Sequence, residues 1–208
     1  MAELEIVGAP MSNYVWSVRV ACEEKGVPYK LAVVRPHSPE ALACGPTGKI
    51  PGLRHGEVAL SESKALISYI DRAFKGRKLM PAKPAAMAEV EQWCSIVNTA
   101  VDPAWRRYIA CYFFPQTPDK KPDPAAIAAA VPGLEKVLGM LEARLTASRH
   151  LAAGKFSPAD MLLVPMLVYL QKLPESSKLL KKHKKLNSYL KRLAKRPSVA
   201  ATRPKEAN

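Results

Sequence analysis

Strand-like and helix-like patterns alternate through residues 1–78, and no convincing strand pattern follows them. "LEIVG" has the short apolar run of a buried strand, and "YVWSVRVACEEKG" has helical spacing that stops at Gly26. "YKLAVV" predicts a second strand and "SPEALAC" a short helix capped by Ser38. Two short strands follow, around Ile50 to Arg54 and Glu57 to Leu60, and the glycine of His55-Gly56 suits a tight hairpin turn between them. A helix from about Ser63 to Phe74 completes the order β-α-β-α-β-β-α. Parallel strands joined by a helix cross over right-handed, so this order admits few topologies.

That order is the one a thioredoxin-like domain has. "KGRKLMPAKP", with two prolines and four basic residues, then marks a linker, placed at 79–87. Helical patterns run from about Ala85 to Phe114, Pro124 to Ser148, Ser157 to Lys172 and Lys178 to Lys195. The expected architecture is therefore α/β plus all-α, with a thioredoxin-like domain over 1–78 and an all-helical domain over 88–208.

A hydrophobic share of 48% against 24% charged residues is a folded, globular balance rather than a disordered one. The start, "MAELEIVGAP", has neither a basic leader nor a long apolar core, and no uninterrupted apolar stretch approaches the roughly 20 residues of a membrane span. A cytoplasmic protein with no membrane partner is expected. Cys22, Cys44, Cys94 and Cys111 are too widely spaced for a C-x-x-C pair or a zinc site, so no metal is expected. The formal charge of +14 invites a nucleic-acid partner, yet much of it lies in "SSKLLKKHKKLNSYLKRLAKRP". There Leu179, Leu180, Leu186, Leu190 and Leu193 form an apolar stripe beneath the lysines, which reads as the solvated face of core helices. No nucleic-acid partner is expected.

The stretch "GKIPGLRHGEVALSESKAL" carries the candidate chemistry. Pro51 cannot donate to a strand ladder and so belongs at an edge or a bend. An X-Pro bond is also where a cis peptide costs only about 0.5 to 1 kcal/mol, and a cis Ile50-Pro51 bond would turn the Ile50 backbone outward to pair with an extended peptide. A trans edge proline satisfies the same pattern. "LSESKAL" opens a helix whose first N–H groups lack partners, and these, with the Ser63 hydroxyl, suit a carboxylate, while Glu62 beside them suits an ammonium. Carboxylate and ammonium on one carbon of a short peptide describe a γ-glutamyl group. A serine cap with an incidental glutamate is the plainer alternative.

"GKIPGL" with "LSESKAL" resembles the glutathione-binding signature of the soluble glutathione S-transferases. "GAPMS" before "VRVACEEKGVPY", the run "HSPEALACGPTGKIP", the stretch "LEARLTASRHLAAGKFSPADMLLVPMLVYL" and the late "YLKRLAKRPSV" are similar to phi-type members and their bacterial relatives, in register over nearly the whole chain.

The resemblance implies glutathione as co-substrate and a homodimer. It puts Ser12, in "GAPMSN", where such enzymes hold the glutathione sulfur, with Asn13 and Tyr14 as neighbours of the same capacity. It gives Ile50 and Pro51 to the cysteinyl part, Glu62 and Ser63 to the γ-glutamyl end, and Lys49 a place reaching toward the tripeptide. Phi-type enzymes use a His-Lys pair just before "SPE" for the glycine carboxylate; this chain has Pro36-His37, which leaves His37. Met11, Trp105, Tyr108 and Tyr112 are the expected acceptor site for a small hydrophobic electrophile. A non-catalytic binding or scaffold module of the same fold is the rival reading. A glutathione-dependent oxidoreductase would need a cysteine where Ser12 stands, and Cys22 comes ten residues too late.

Overall fold

The computed structural model describes residues 3–205; residues 1–2 and 206–208, the outer ends of the two expected domains, lie outside the described residues. Strands β1 (Leu4–Val7), β2 (Lys30–Ala32), β3 (Gly52–His55) and β4 (Val58–Ser61) form one sheet in the order β2-β1-β3-β4. β1 runs parallel to β2 and antiparallel to β3, and β3 antiparallel to β4, as in a thioredoxin-like sheet. β2 is shorter than its apolar run suggests. The hairpin turn works as expected: His55 pairs with Val58, and Gly56 takes φ 59°, the positive value that the first residue of a two-residue primed turn requires.

Helix α1 (Asn13–Lys25) starts at Ser12, whose Oγ accepts the Val15 N–H at 3.3 Å, and ends at Gly26 in the left-handed conformation. Helices α2 (Pro39–Leu42) and α3 (Ser63–Ala73) complete the unit. Val15, Val18, Leu53, Leu66, Ile67 and Ile70 are fully buried between α1, α3 and the sheet. Each such aliphatic side chain contributes roughly 1.5–3 kcal/mol by leaving water.

The helical part holds α4 (Pro84–Ile96), α5 (Asp102–Phe113), α6 (Pro124–Ala147), α7 (Pro158–Leu170), α8 (Pro174–Lys182), α9 (Lys184–Leu193) and α10 (Pro197–Ala201). The expected Ala85–Phe114 helix is divided by a π-helical turn, Val97–Val101. Pro103 cannot donate to the Thr99 carbonyl one turn back, and the ladder widens immediately before it. The expected lysine-rich helix is two helices broken at His183, where the Glu142 carboxylate of α6 accepts from the backbone of Lys185 (3.0 Å) and Leu186 (2.7 Å) and so caps α9. Its five stripe leucines are all buried.

Every residue of α7 is buried, which makes it the axis of the molecule: α1, α4 and α9 all pack on it. Asp160 reaches back to the Ser157 N–H at 2.9 Å, accepts from Leu151 N at 3.1 Å and from Tyr189 Oη at 2.8 Å, and is fully buried. By length and composition α6 could cross a membrane. In this structure Ile127, Leu134, Leu138, Leu141 and Leu145 are buried on it, α5, α8 and α9 pack against it, and Glu142 and Arg144 make polar contacts.

Candidate active site

A cleft of about 830 Å³ opens between the sheet unit and α5. The floor on the sheet side comes from four turns that the strands bring to one end. The β1–α1 loop supplies Met11 and Ser12, the loop before α2 supplies His37, the approach to β3 supplies Lys49, Ile50 and Pro51, and the β4–α3 junction supplies Glu62 and Ser63. All seven residues expected to handle glutathione therefore border one space, and Met11 with them.

Local geometry explains why. Gly8 sits at φ 152°, and a Cβ there would lie 2.6 Å from Val15 Cγ2 and 3.0 Å from Ile50 Cβ. Only glycine lets the β1–α1 loop press against Ile50 this closely. The Ile50-Pro51 bond is cis. Among the described residues nothing pairs with the Ile50 N–H or C=O, so both remain free for a ligand strand. Glu62 is held at φ 69°, a conformation that costs a non-glycine residue on the order of 1 kcal/mol or more. It stands at the N-terminus of α3 and makes no side-chain cap bond of its own. His37 is also at positive φ, 63°, where its N–H donates to Gly48 O at 2.7 Å.

Three hydroxyl or amide groups begin α1, and the structure separates their roles. Tyr14 donates its Oη proton to Asn98 Oδ1 at 3.1 Å. Burial, reinforced by the Asp102 carboxylate nearby, pushes its phenol far above the ordinary value, so that proton stays in place. Ser12 uses only a lone pair, toward Val15 N, and its own proton is uncommitted. Asn13 is 7% exposed and its Nδ2 has no partner, which leaves it a second unspent donor on the cleft wall. Cys22 is fully buried on α1 and does not border the cleft, and burial pushes its thiol up to about 12.

The opposite wall corrects the sequence reading. Trp105 borders the cleft, with its Nε1 fixed to Met166 O at 3.0 Å, but Tyr108 and Tyr112 do not. Tyr108 is fully buried and donates to Glu175 Oε2 at 2.8 Å; Tyr112 donates to the same oxygen. Helical phase is the reason. At about 100° per residue, Tyr108 and Tyr112 lie to one side of Trp105, whereas Arg106, Ile109 and Phe113 lie to the other, and that other side faces the cleft. Asn98, Asp102, Ala110, Phe114 and Tyr169 complete this wall. Tyr169, whose phenol burial pushes up to about 12, donates to Met11 O at 2.7 Å and ties α7 to the loop before Ser12. The Asp102–Arg106 spacing, one helical turn, was the available signal for the polar part of this wall.

A thioredoxin-like sheet unit with unpaired backbone at Ile50 and the acidic Glu62 at a helix tip, closed by a helical wall, sets the fold class and the cleft it carries. Residues 6–78 match the family description "Glutathione S-transferase, N-terminal domain" and residues 104–197 match "Glutathione S-transferase, C-terminal domain". "Glutathione S-transferase 1" of Zea mays is 30% identical over 208 residues, covering 96% of this chain and 95% of the relative. "Glutathione S-transferase 3" of Zea mays is 32% identical, covering 77% of this chain and 75% of the relative. The solved structure of poplar glutathione transferase F1 superimposes with a TM-score of 0.87 at 28% identity, covering 97% of both chains. Maize transferase I in complex with an atrazine glutathione conjugate gives 0.84 at 27%, covering 97% of this chain and 96% of that one. The chain belongs to the glutathione S-transferase family, and its relatives lie on the phi-type branch.

Proposed function

We propose that the chain conjugates glutathione to small hydrophobic electrophiles, with Ser12 as the hydroxyl that holds the thiolate. One observation supports the reading: Ser12, whose hydroxyl proton is uncommitted, Ile50, whose backbone groups are unpaired among the described residues, and Glu62 and Ser63 at the start of α3 all line one cleft. The cysteinyl unit pairs with Ile50 beside Pro51. The γ-glutamyl carboxylate takes the unpaired N–H groups and hydroxyl that open α3, and the ammonium faces Glu62. Lys49 and His37, which border the same cleft, serve the glycine carboxylate. The thiol of unperturbed pKa about 8.5 loses its proton, and the sulfur is stabilised by the Ser12 hydroxyl and the positive end of α1. The thiolate then forms a C–S bond with an acceptor lying between Met11 and Trp105, and on an aryl halide the halide departs with its electron pair.

Retention on immobilised glutathione, followed by conjugation of chlorodinitrobenzene, tests this directly. Both are expected. Retention without conjugation, or neither, would favour the scaffold module. Replacing Glu62 by Gln keeps the side chain's shape and removes its charge, so glutathione should bind about ten-fold more weakly by titration calorimetry. Unaltered affinity would remove Glu62 from the site.

The same reading makes the protein a cytoplasmic homodimer serving detoxification. The family resemblance supports the dimer. Four free cysteines support a reducing compartment. The lysines of α8 and α9 lie over buried leucines, which supports a solvated face and a small-molecule partner, with neither nucleic acid nor membrane required.

A further inference from the structure

The wall contributed by α5 is not uniformly apolar. Asp102 and Arg106 stand at its start, next to the π-helical turn, and Ile109, Phe113 and Phe114 follow toward its end. Phe113 and Phe114 are 49% and 69% exposed, and Met11 across the mouth is 47% exposed, so the rim carries apolar surface that a guest could cover. Arg106 is oriented without being consumed. Its Nε and Nη2 lie 3.3–3.4 Å from the Asp102 carboxylate, the side chain is 63% exposed, and Nη1 makes no hydrogen bond among the described residues. Asp102, only 12% exposed at its side chain, acts as the anchor.

Resting on the transferase reading above, we infer that the preferred acceptor is amphiphilic: an apolar electrophile carrying a fixed carboxylate, which Arg106 selects. In that reading Glu62, Lys49 and His37, on the opposite floor, hold the two ends of glutathione, which leaves Arg106 as the cation on the acceptor side among the described residues that line the cleft. A guanidinium held by one carboxylate still presents a planar edge to a second, whereas a lysine would offer a point charge. The acceptor's apolar body lies along Ile109 and Phe113, and its anion points back toward the start of α5.

The test compares para-carboxybenzalacetone with its methyl ester. In both, the thiolate attacks the β-carbon, the C–S bond forms, the π pair moves to the enolate, and the enolate takes the proton the thiol gave up. The ratio of kcat/KM for acid over ester, corrected for uncatalysed rates, should favour the acid in the wild type. Because Arg106 is largely exposed, the fall in that ratio on Arg106→Gln should be about five-fold, with part of it restored in Arg106→Lys. An unchanged ratio overturns the proposal, and so does a rise in KM for glutathione that is equal with both acceptors, which would assign Arg106 to glutathione. Conjugation of the ester with no preference for the acid overturns only the acceptor class; conjugation of neither sinks the transferase reading as well.

Discussion

Replacing Ser12 by Ala should lower kcat by about a hundred-fold while glutathione affinity changes little. A hydrogen bond to a charged partner contributes roughly 1.5–3 kcal/mol, and lowering a thiol pKa by about two units needs about 2.7 kcal/mol of preference for the thiolate, so one hydroxyl can supply much of the effect. Affinity should be spared because, in the proposed mode, the rest of the tripeptide is held by Ile50, Glu62 and Ser63. The pH–rate profile should change in a defined direction: without the donor the thiol pKa rises toward 8.5, and the rate keeps increasing above neutrality instead of levelling off. Ser12 also caps α1, and losing that role costs about 1 kcal/mol of stability. Ser12→Thr retains both functions and should keep most of the rate, which separates chemistry from folding. If Ser12→Ala conjugates at the wild-type rate, the sulfur contact belongs to Asn13, whose amide donor is unspent.

The second large effect is structural. Lys25, its side chain fully buried, donates to Asp71 Oδ1 at 3.0 Å and to Asp71 O at 2.8 Å, and the other donors to that carboxylate are Leu79 N (2.8 Å) and Met80 N (3.1 Å). Asp71 thus fastens the segment after α3 to the end of α1. Asp71→Asn leaves a buried ammonium without its counter-charge, and the loss should be about 3 kcal/mol, read as a lower urea midpoint. Burial alone would raise the Asp71 carboxyl, but the two backbone N–H groups and Lys25 outweigh it and hold it below its ordinary value. A depressed carboxyl stabilises the fold above its unfolded pKa, about 3.9, and that contribution fades as pH falls through the lower folded value. The gap between wild type and variant should therefore be full at pH 7 and shrink below about pH 4. Equal midpoints at neutral pH would contradict this account.

What the sequence disclosed, and what it hid, follows from how local each cause is. Gly26, Gly56, Pro51 and the Ser157–Asp160 pair act within a turn or two of themselves, so their effects read directly from the string. The floor of the cleft was legible for the same reason: Lys49 to Pro51 and Glu62 to Ser63 lie in one short stretch, and Ser12 begins the first helix. The α5 wall was not. Its facing depends on the π-helical turn before Pro103, and on Glu175, which lies 67 residues beyond Tyr108 and draws that tyrosine and Tyr112 away from the cleft. Aromatic spacing alone pointed to the wrong side of Trp105. The break at His183 likewise depends on Glu142, a partner remote in sequence.

That π-helical turn has a consequence for how such a catalyst diversifies. One surplus residue in a helix swings everything after it by about 100°, so a single-codon insertion or deletion between Val97 and Val101 would present a new set of side chains to the cleft while the floor contributed by the sheet unit, proposed above to hold the tripeptide, is left untouched.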